Sequence, residues 1–171
     1  MKKQIPNLIT LLNLFFGCLA ILVTFQSGTM ATMDETGDMV IEIPEQIYYA
    51  SMFIGLAALV DFFDGFVARL LKVNSELGKQ LDSLADVVSF GVAPSFIVFQ
   101  FLRLSLATDI NALSHTTVMM VPAFIIALAG AYRLAKFNID ERQTEDFIGL
   151  NTPMNTLFIV SLPGSKKGVC E

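Results

Sequence analysis

An all-α bundle of membrane-spanning helices is the fold this sequence predicts, and three observations predict it. Of its 171 residues 54% are hydrophobic and only 16% are charged, with a mean hydropathy of +0.62. A soluble domain carries about a quarter charged residues, so charge is what this chain lacks. The apolar residues gather into runs that approach the roughly 20 residues needed to cross about 30 Å of hydrocarbon. Lysine and arginine, finally, are unevenly shared among the segments that join those runs.

The first run, "LITLLNLFFGCLAILVTF" (8–25), holds no charge. No small-residue cleavage site follows it and further runs do, so it reads as a span and not as a signal peptide. The second, "IYYASMFIGLAALV" (47–60), continues helically into an acid-bearing stretch. "VVSFGVAPSFIVFQFL" (87–102), "TVMMVPAFIIALAGAY" (117–132) and the weaker "IGLNTPMNTLFIVSL" (148–162) complete five expected spans. Residues 1–171 are read as a single integral membrane domain.

Orientation follows from the bases. With the N-terminus in the cytoplasm, Lys2, Lys3, Arg69, Lys72, Lys79, Arg133, Lys136 and Arg142 lie inside, and Arg103, Lys166 and Lys167 outside. That bias satisfies the positive-inside rule and predicts a multi-pass protein of the cytoplasmic (inner) membrane. The segment 27–46 carries five acids and no base, and is expected outside.

Several function classes are excluded. No basic stripe with interleaved aromatics suggests nucleic acid as a partner. Cys18 and Cys170 make neither a metal knuckle nor a disulfide framework. His115 falls in an outer loop with no nucleophile motif beside it. There is no GxGxxG, no P-loop and no internal repeat.

The chemistry-bearing segment is "DFFDGFVARLLKVNSELGKQLDSLAD" (61–86). Helical spacing puts Asp61, Asp64, Gly65 and Ala68 on one stripe, and Gly78, Asp82 and Asp86 on another. Asn74 and Ser75 supply a loop and a cap between them, so two antiparallel helices present two carboxylates each toward the other. Converging carboxylates repel unless cations sit among them. Oxygen donors without His or Cys favour Mg²⁺, Mn²⁺ or Ca²⁺ over zinc. Glycines leave room for a ligand or a neighbouring backbone, and Arg69 offers a planar fork suited to phosphate. The plainer alternative is a row of interfacial charges marking where helices leave the lipid; four acids at these registers, with glycines on the same faces, favour chemistry or ion handling.

The pattern Asp61-x₂-Asp64-Gly65-x₂-Ala68-Arg69-x₈-Gly78-x₃-Asp82-x₃-Asp86 resembles, position for position, the signature of the CDP-alcohol phosphatidyltransferase family. The resemblance implies a six-helix integral membrane enzyme, commonly homodimeric, that moves a phosphatidyl group from a CDP-linked lipid to an alcohol and releases CMP. It implies that Asp61, Asp64, Asp82 and Asp86 surround two divalent cations, Mg²⁺ or Mn²⁺. Gly65, Ala68, Arg69 and Gly78, with Asn7 and Thr10, would then bind the CDP-lipid, and Asp86 would also be the base for the acceptor hydroxyl.

Three further blocks resemble the bacterial and archaeal phosphatidylserine synthases within that family: Pro6, Asn7, Thr10 and Asn13 near the start, Arg133 to Asn138, and Gly149 to Pro153, where Asn151 departs from the usual proline. They imply CDP-diacylglycerol and L-serine as substrates, with Arg133, Lys136 and Asn138 at the acceptor. Each block also has a structural reading: a helix start and cap at Pro6 and Asn7, a polar stripe at Thr10 and Asn13 that suits helix packing and active-site lining equally, positive-inside anchors at Arg133 and Asn138, and interhelical contact at Asn155. The resemblance runs from about residue 5 to 163, and the family's last span is expected to be missing through C-terminal truncation. A sister transferase using glycerol 3-phosphate or inositol phosphate, a cation transporter and a non-catalytic remnant are the competing readings.

Overall fold

The computed structural model describes residues 4–27, 31–33, 39–41, 44–71, 75–106, 118, 120–139 and 152–161. His115, Cys170, Asn74, the bases Lys2, Lys3, Lys72, Arg142, Lys166 and Lys167, and the block 149–151 lie outside them. So do the side chains of Asn138, Pro153 and Asn155. The architecture is all-α. Its helices are α1 (Gln4–Gln26), α2 (Glu45–Leu71), α3 (Glu76–Asp86), α4 (Ala93–Leu106), α5 (Ile125–Ile139) and α6 (Thr152–Ser161). A π-helical segment, Val87–Val92, joins α3 to α4 without a break, and a 3₁₀ turn, Val121–Phe124, leads into α5. The acidic segment 27–46 adds what the sequence did not suggest, an antiparallel pairing of β1 (Ala31–Met33) with β2 (Met39–Ile41).

Among the described residues three helices are long and apolar enough to cross a membrane: Pro6–Gln26, Glu45–Leu71 and Glu76–Ser105. The expected fourth span is helical at Val118 and Met120, tightens into the 3₁₀ turn at Val121–Phe124, where Pro122 has no N–H to give, and continues as α5 to Ile139. The fifth is a helix of ten residues.

The bundle is packed through small residues. On α1 the buried positions are Pro6, Thr10, Asn13, Gly17, Ala20, Thr24 and Ser27, spaced alternately four and three apart along one face. On α2 Ile47, Ala50, Ile54, Ala57 and Asp64 form the matching stripe. Large side chains turn outward, with Leu8 70% and Leu128 69% exposed. Small residues inside and large apolar ones outside is the arrangement expected where lipid, not water, surrounds the helices.

Helix directions follow from the pairs in contact. Thr10 meets Asp64 while Phe16 stacks on Phe53 with ring centroids 6.4 Å apart, so α1 and α2 are antiparallel. Asn13 meets Asp86 and Thr24 meets Gln100, so α1 runs parallel to α3 and α4. The expected antiparallel relation of α2 and α3 is thus observed, with α1 packed against both.

The π segment has a local cause. Pro94 has no N–H to offer the Phe90 carbonyl one turn back. Thr156 of α6 supplies the missing donor, its hydroxyl reaching Phe90 O at 2.8 Å. The preceding turn widens, and the Ala93 N–H bonds Val88 O five residues earlier. Three helices close on this segment: α1 at Gly17, where an added Cβ would lie 2.4 Å from Ser89 Oγ, α5 at Ala127 beside Gly91, and α6 at Thr156.

Candidate active site

The acidic segment folds as its spacing requires. The Ser75 side chain caps α3 by accepting a hydrogen bond from the Gly78 N–H at 3.0 Å. That cap fixes the helix start, and Asp82 and Asp86 then fall one turn apart on the face turned toward α2. Among the described residues Asp61, Asp82 and Asp86 can each place a carboxylate oxygen within 4.8 Å of the other two, all half-buried. The carboxyl groups of Asp61 and Asp86 are within hydrogen-bonding reach of each other. Ionised carboxylates accept only, so this approach is satisfied by a shared proton or by a cation between them.

Of the four aspartates expected to converge, Asp61, Asp82 and Asp86 form the tight group, and Asp64 lies close enough for its charge to act on Asp61 and Asp82. Asp64 is buried and turned toward α1, where the Thr10 hydroxyl donates to its Oδ2. The same hydroxyl lies 3.1 Å from the Pro6 carbonyl of its own helix. On their shared stripe of α2, Asp61 meets α3 while Asp64, one turn on, meets α1. Asn13, one turn beyond Thr10, is fully buried and donates from Nδ2 to Asp86 Oδ1 at 3.5 Å. The first helix therefore supplies one neutral donor to each acidic helix.

The two glycines of the motif have different surroundings. An added Cβ at Gly65 would meet nothing within 4 Å, so this exposed position borders open space. At Gly78 an added Cβ would lie 2.8 Å from Ser75 Oγ and 3.0 Å from Asn7 Oδ1, so its missing side chain lets the start of α1 approach the start of α3. Ala68 is half-buried on the Gly65 side of α2, and Arg69 is exposed in the last turn.

Arg133 and Lys136 belong to α5, which packs antiparallel to α4. Phe124 lies edge-on to Phe96 with centroids 5.2 Å apart, and Ala127 faces Gly91. Arg133 is six residues past Ala127, an axial advance of about 9 Å at α-helical rise, while Asp86 precedes Gly91 by five residues across the π segment. Arg133 thus comes to roughly the axial level of Asp86, and Lys136 follows one turn further along. Arg133 is half-buried and Lys136 exposed.

Sequence reasoning left Asn13 and Ser89 without a role. Asn13 was visible in the polar stripe of the first span, but which carboxylate it would meet depended on how α1 packs. Ser89 carried no signal at all; its hydroxyl donates to the Asn13 carbonyl at 3.2 Å.

The donor set fits a hard divalent cation: three carboxylates from two helices, no nitrogen or sulfur ligand among them, at one end of an apolar bundle. Comparison with known proteins agrees. The model of the CDP-alcohol phosphatidyltransferase family matches residues 3–163. The CDP-diacylglycerol--serine O-phosphatidyltransferase of Bacillus subtilis is 35% identical over 116 residues, covering 68% of this chain and 60% of that protein. Its namesake from Methanocaldococcus jannaschii is 33% identical over 156 residues, covering 91% and 58%. The archaetidylserine synthase of Methanothermobacter thermautotrophicus is 31% identical over 160 residues, covering 92% and 56%. The chain thus spans somewhat under two thirds of the length of these relatives. With its acidic signature inside a match that takes in nearly all its residues, this chain belongs to the CDP-alcohol phosphatidyltransferase family.

Proposed function

We propose that this protein transfers the phosphatidyl group of CDP-diacylglycerol to the hydroxyl of L-serine, giving phosphatidylserine and CMP. The observation that carries the reading is the convergence of Asp61, Asp82 and Asp86 at one end of a membrane-type bundle. The names of the relatives support the substrates. The serine oxygen attacks the phosphorus that carries the diacylglycerol, the bond from that phosphorus to the CMP oxygen breaks, and the hydroxyl proton passes to Asp86.

Asp61, Asp82 and Asp86 would hold the divalent cations, two Mg²⁺ or Mn²⁺ ions, with the Asp64 charge alongside. Bound there, the cations supply neutralisation of the diphosphate oxygens and of the leaving CMP. Asp86, at the end of the array, accepts the proton. Gly65 leaves the open space beside α2 for the cytidine, with Ala68 next to it and Arg69 near the nucleotide phosphates. Asn7, Thr10 and Gly78 line the α1 side of the same end, where Thr10 holds Asp64. Arg133, with Lys136 and Asn138, receives the serine carboxylate: a guanidinium forms two parallel hydrogen bonds to a carboxylate where an ammonium forms one.

The bias of bases supports a reading in which this end of the bundle, and the N-terminus, lie at the cytoplasmic face of the inner membrane. Lipid tails then stay in the bilayer while a water-soluble acceptor enters. A homodimer, implied by the family resemblance, belongs to the same reading, and light scattering of the detergent-solubilised protein measures it.

The test is the purified protein in mixed micelles with CDP-diacylglycerol, offered L-serine, glycerol 3-phosphate or inositol phosphate. Serine-dependent CMP release is expected. Release with a phosphorylated acceptor and not with serine overturns the acceptor and leaves the family untouched.

A further inference from the structure

We propose that Asn13 is a positioning residue that aims the Asp86 carboxylate, an inference that rests on the transferase reading above. Asp86 is the last residue of α3, immediately before the turn that Pro94 and Thr156 widen. Such π segments gather at functional sites, and Asp86 enters this one with regular helical backbone angles, φ −62° and ψ −41°, so what its side chain meets decides where the carboxylate points. The direction is set from outside, by α1.

The contact is built in two parts. Asn13 Nδ2 donates to Asp86 Oδ1, and the Ser89 hydroxyl, three residues past Asp86, returns a hydrogen bond to the Asn13 carbonyl. Gly17, one turn along α1, permits the close approach: an added Cβ there would lie 3.0 Å from the Ser89 Cα. One turn of α1 thus grips both ends of the Asp86–Ser89 turn. Engaging Oδ1 ties one oxygen of the Asp86 carboxyl group to α1, while the group also approaches Asp61.

An amide suits this task. It donates without carrying charge and has no proton to give up to the carboxylate, whereas an aspartate there would add a further repelling charge. Asn13 Oδ1 is buried and has no partner among the described residues. A purely structural asparagine inside an apolar bundle is expected to satisfy both of its amide groups, whereas this one spends its donor on the reacting carboxylate.

The test compares Asn13→Leu and Asn13→Gln with the parent, measuring kcat and KM for CMP release and, separately, Mn²⁺ binding by electron paramagnetic resonance. Asn13→Leu also removes the unpaired Oδ1, so a folded, monodisperse protein is expected. Its kcat should fall about tenfold to a hundredfold, the range for loss of a ligand's orienting partner. KM for CDP-diacylglycerol should stay within about twofold, Mn²⁺ affinity should fall, and Asn13→Gln should recover part of kcat. A folded Asn13→Leu protein with parental kcat and parental Mn²⁺ affinity overturns the proposal, as does a loss confined to KM. If Asn13→Leu does not fold, Asn13→Ser, too short to reach Asp86, is judged by the same outcomes. If the parent releases no CMP with any acceptor, the transferase reading fails, and the Mn²⁺ comparison alone decides the role of Asn13.

Discussion

Thr10 on the first helix hydrogen-bonds Asp64 on the second, fifty-four positions away in sequence, and both are buried. The pair ties the start of α1 to the end of α2 that carries the acidic site. Thr10→Val keeps the shape and leaves a buried carboxylate without that donor, so a loss of about 1–3 kcal/mol is expected. Thermal unfolding in detergent measures it. Thr10→Ser, which keeps the hydroxyl, should recover most of the loss; equal midpoints for Val and Ser would remove the hydrogen bond from the account.

Two glycines are expected to part company. Gly17→Ala forces a methyl group to 2.4 Å from Ser89 Oγ and 3.0 Å from its Cα, so α1 and the π segment must separate. Overpacking of this kind costs about 1–3 kcal/mol. Ser89→Ala should relieve only part of it, because the backbone contact remains. Gly65→Ala meets nothing within 4 Å and should fold as well as the parent, or better, given alanine's higher helix propensity. A raised KM for CDP-diacylglycerol in a stable Gly65→Ala protein is the result expected if the open space holds the cytidine.

Chelation should abolish CMP release, and Mg²⁺ or Mn²⁺ should restore it, because the carboxylates of Asp61, Asp82 and Asp86 crowd together and repel one another unless neutralised. Within the cluster the members should differ. Asp61→Asn is expected to weaken cation binding and to be rescued by excess cation. Asp86→Asn should still bind CDP-diacylglycerol yet lose about a hundredfold or more in kcat, the range for removing a general base. Full rescue of Asp86→Asn by added cation would make it a ligand only, and full activity in excess EDTA would sink the cation reading.

Arg133→Lys keeps the charge and loses the fork. The serine KM should rise several-fold or more, with KM for CDP-diacylglycerol little changed. An Arg133→Lys protein that folds normally and keeps its serine KM takes Arg133 out of the acceptor site.

The sequence by itself determined the class of fold and the chemistry of the site. Runs of apolar residues long enough to span lipid can bury their backbone polar groups only as helices, and the spacing of Asp61, Asp64, Asp82 and Asp86 put carboxylates on helix faces before any packing was known. The N-terminal polar stripe was legible as well, though not its partners. Tertiary structure decided those, because a helix face acquires a meaning only from what covers it. Packing of α1 turned Asp64 toward Thr10 and left Asp61, Asp82 and Asp86 as the tight group. It also gave Gly78 a neighbour in Asn7 and left Gly65 facing open space, two outcomes that one residue type in one motif could not distinguish. The π segment is the intermediate case. Pro94 stood in plain view as a missing donor, but the widened turn depends on Thr156 arriving from a helix 66 residues away to take the orphaned carbonyl. A local rule can name the unsatisfied group, and only the fold can supply its partner.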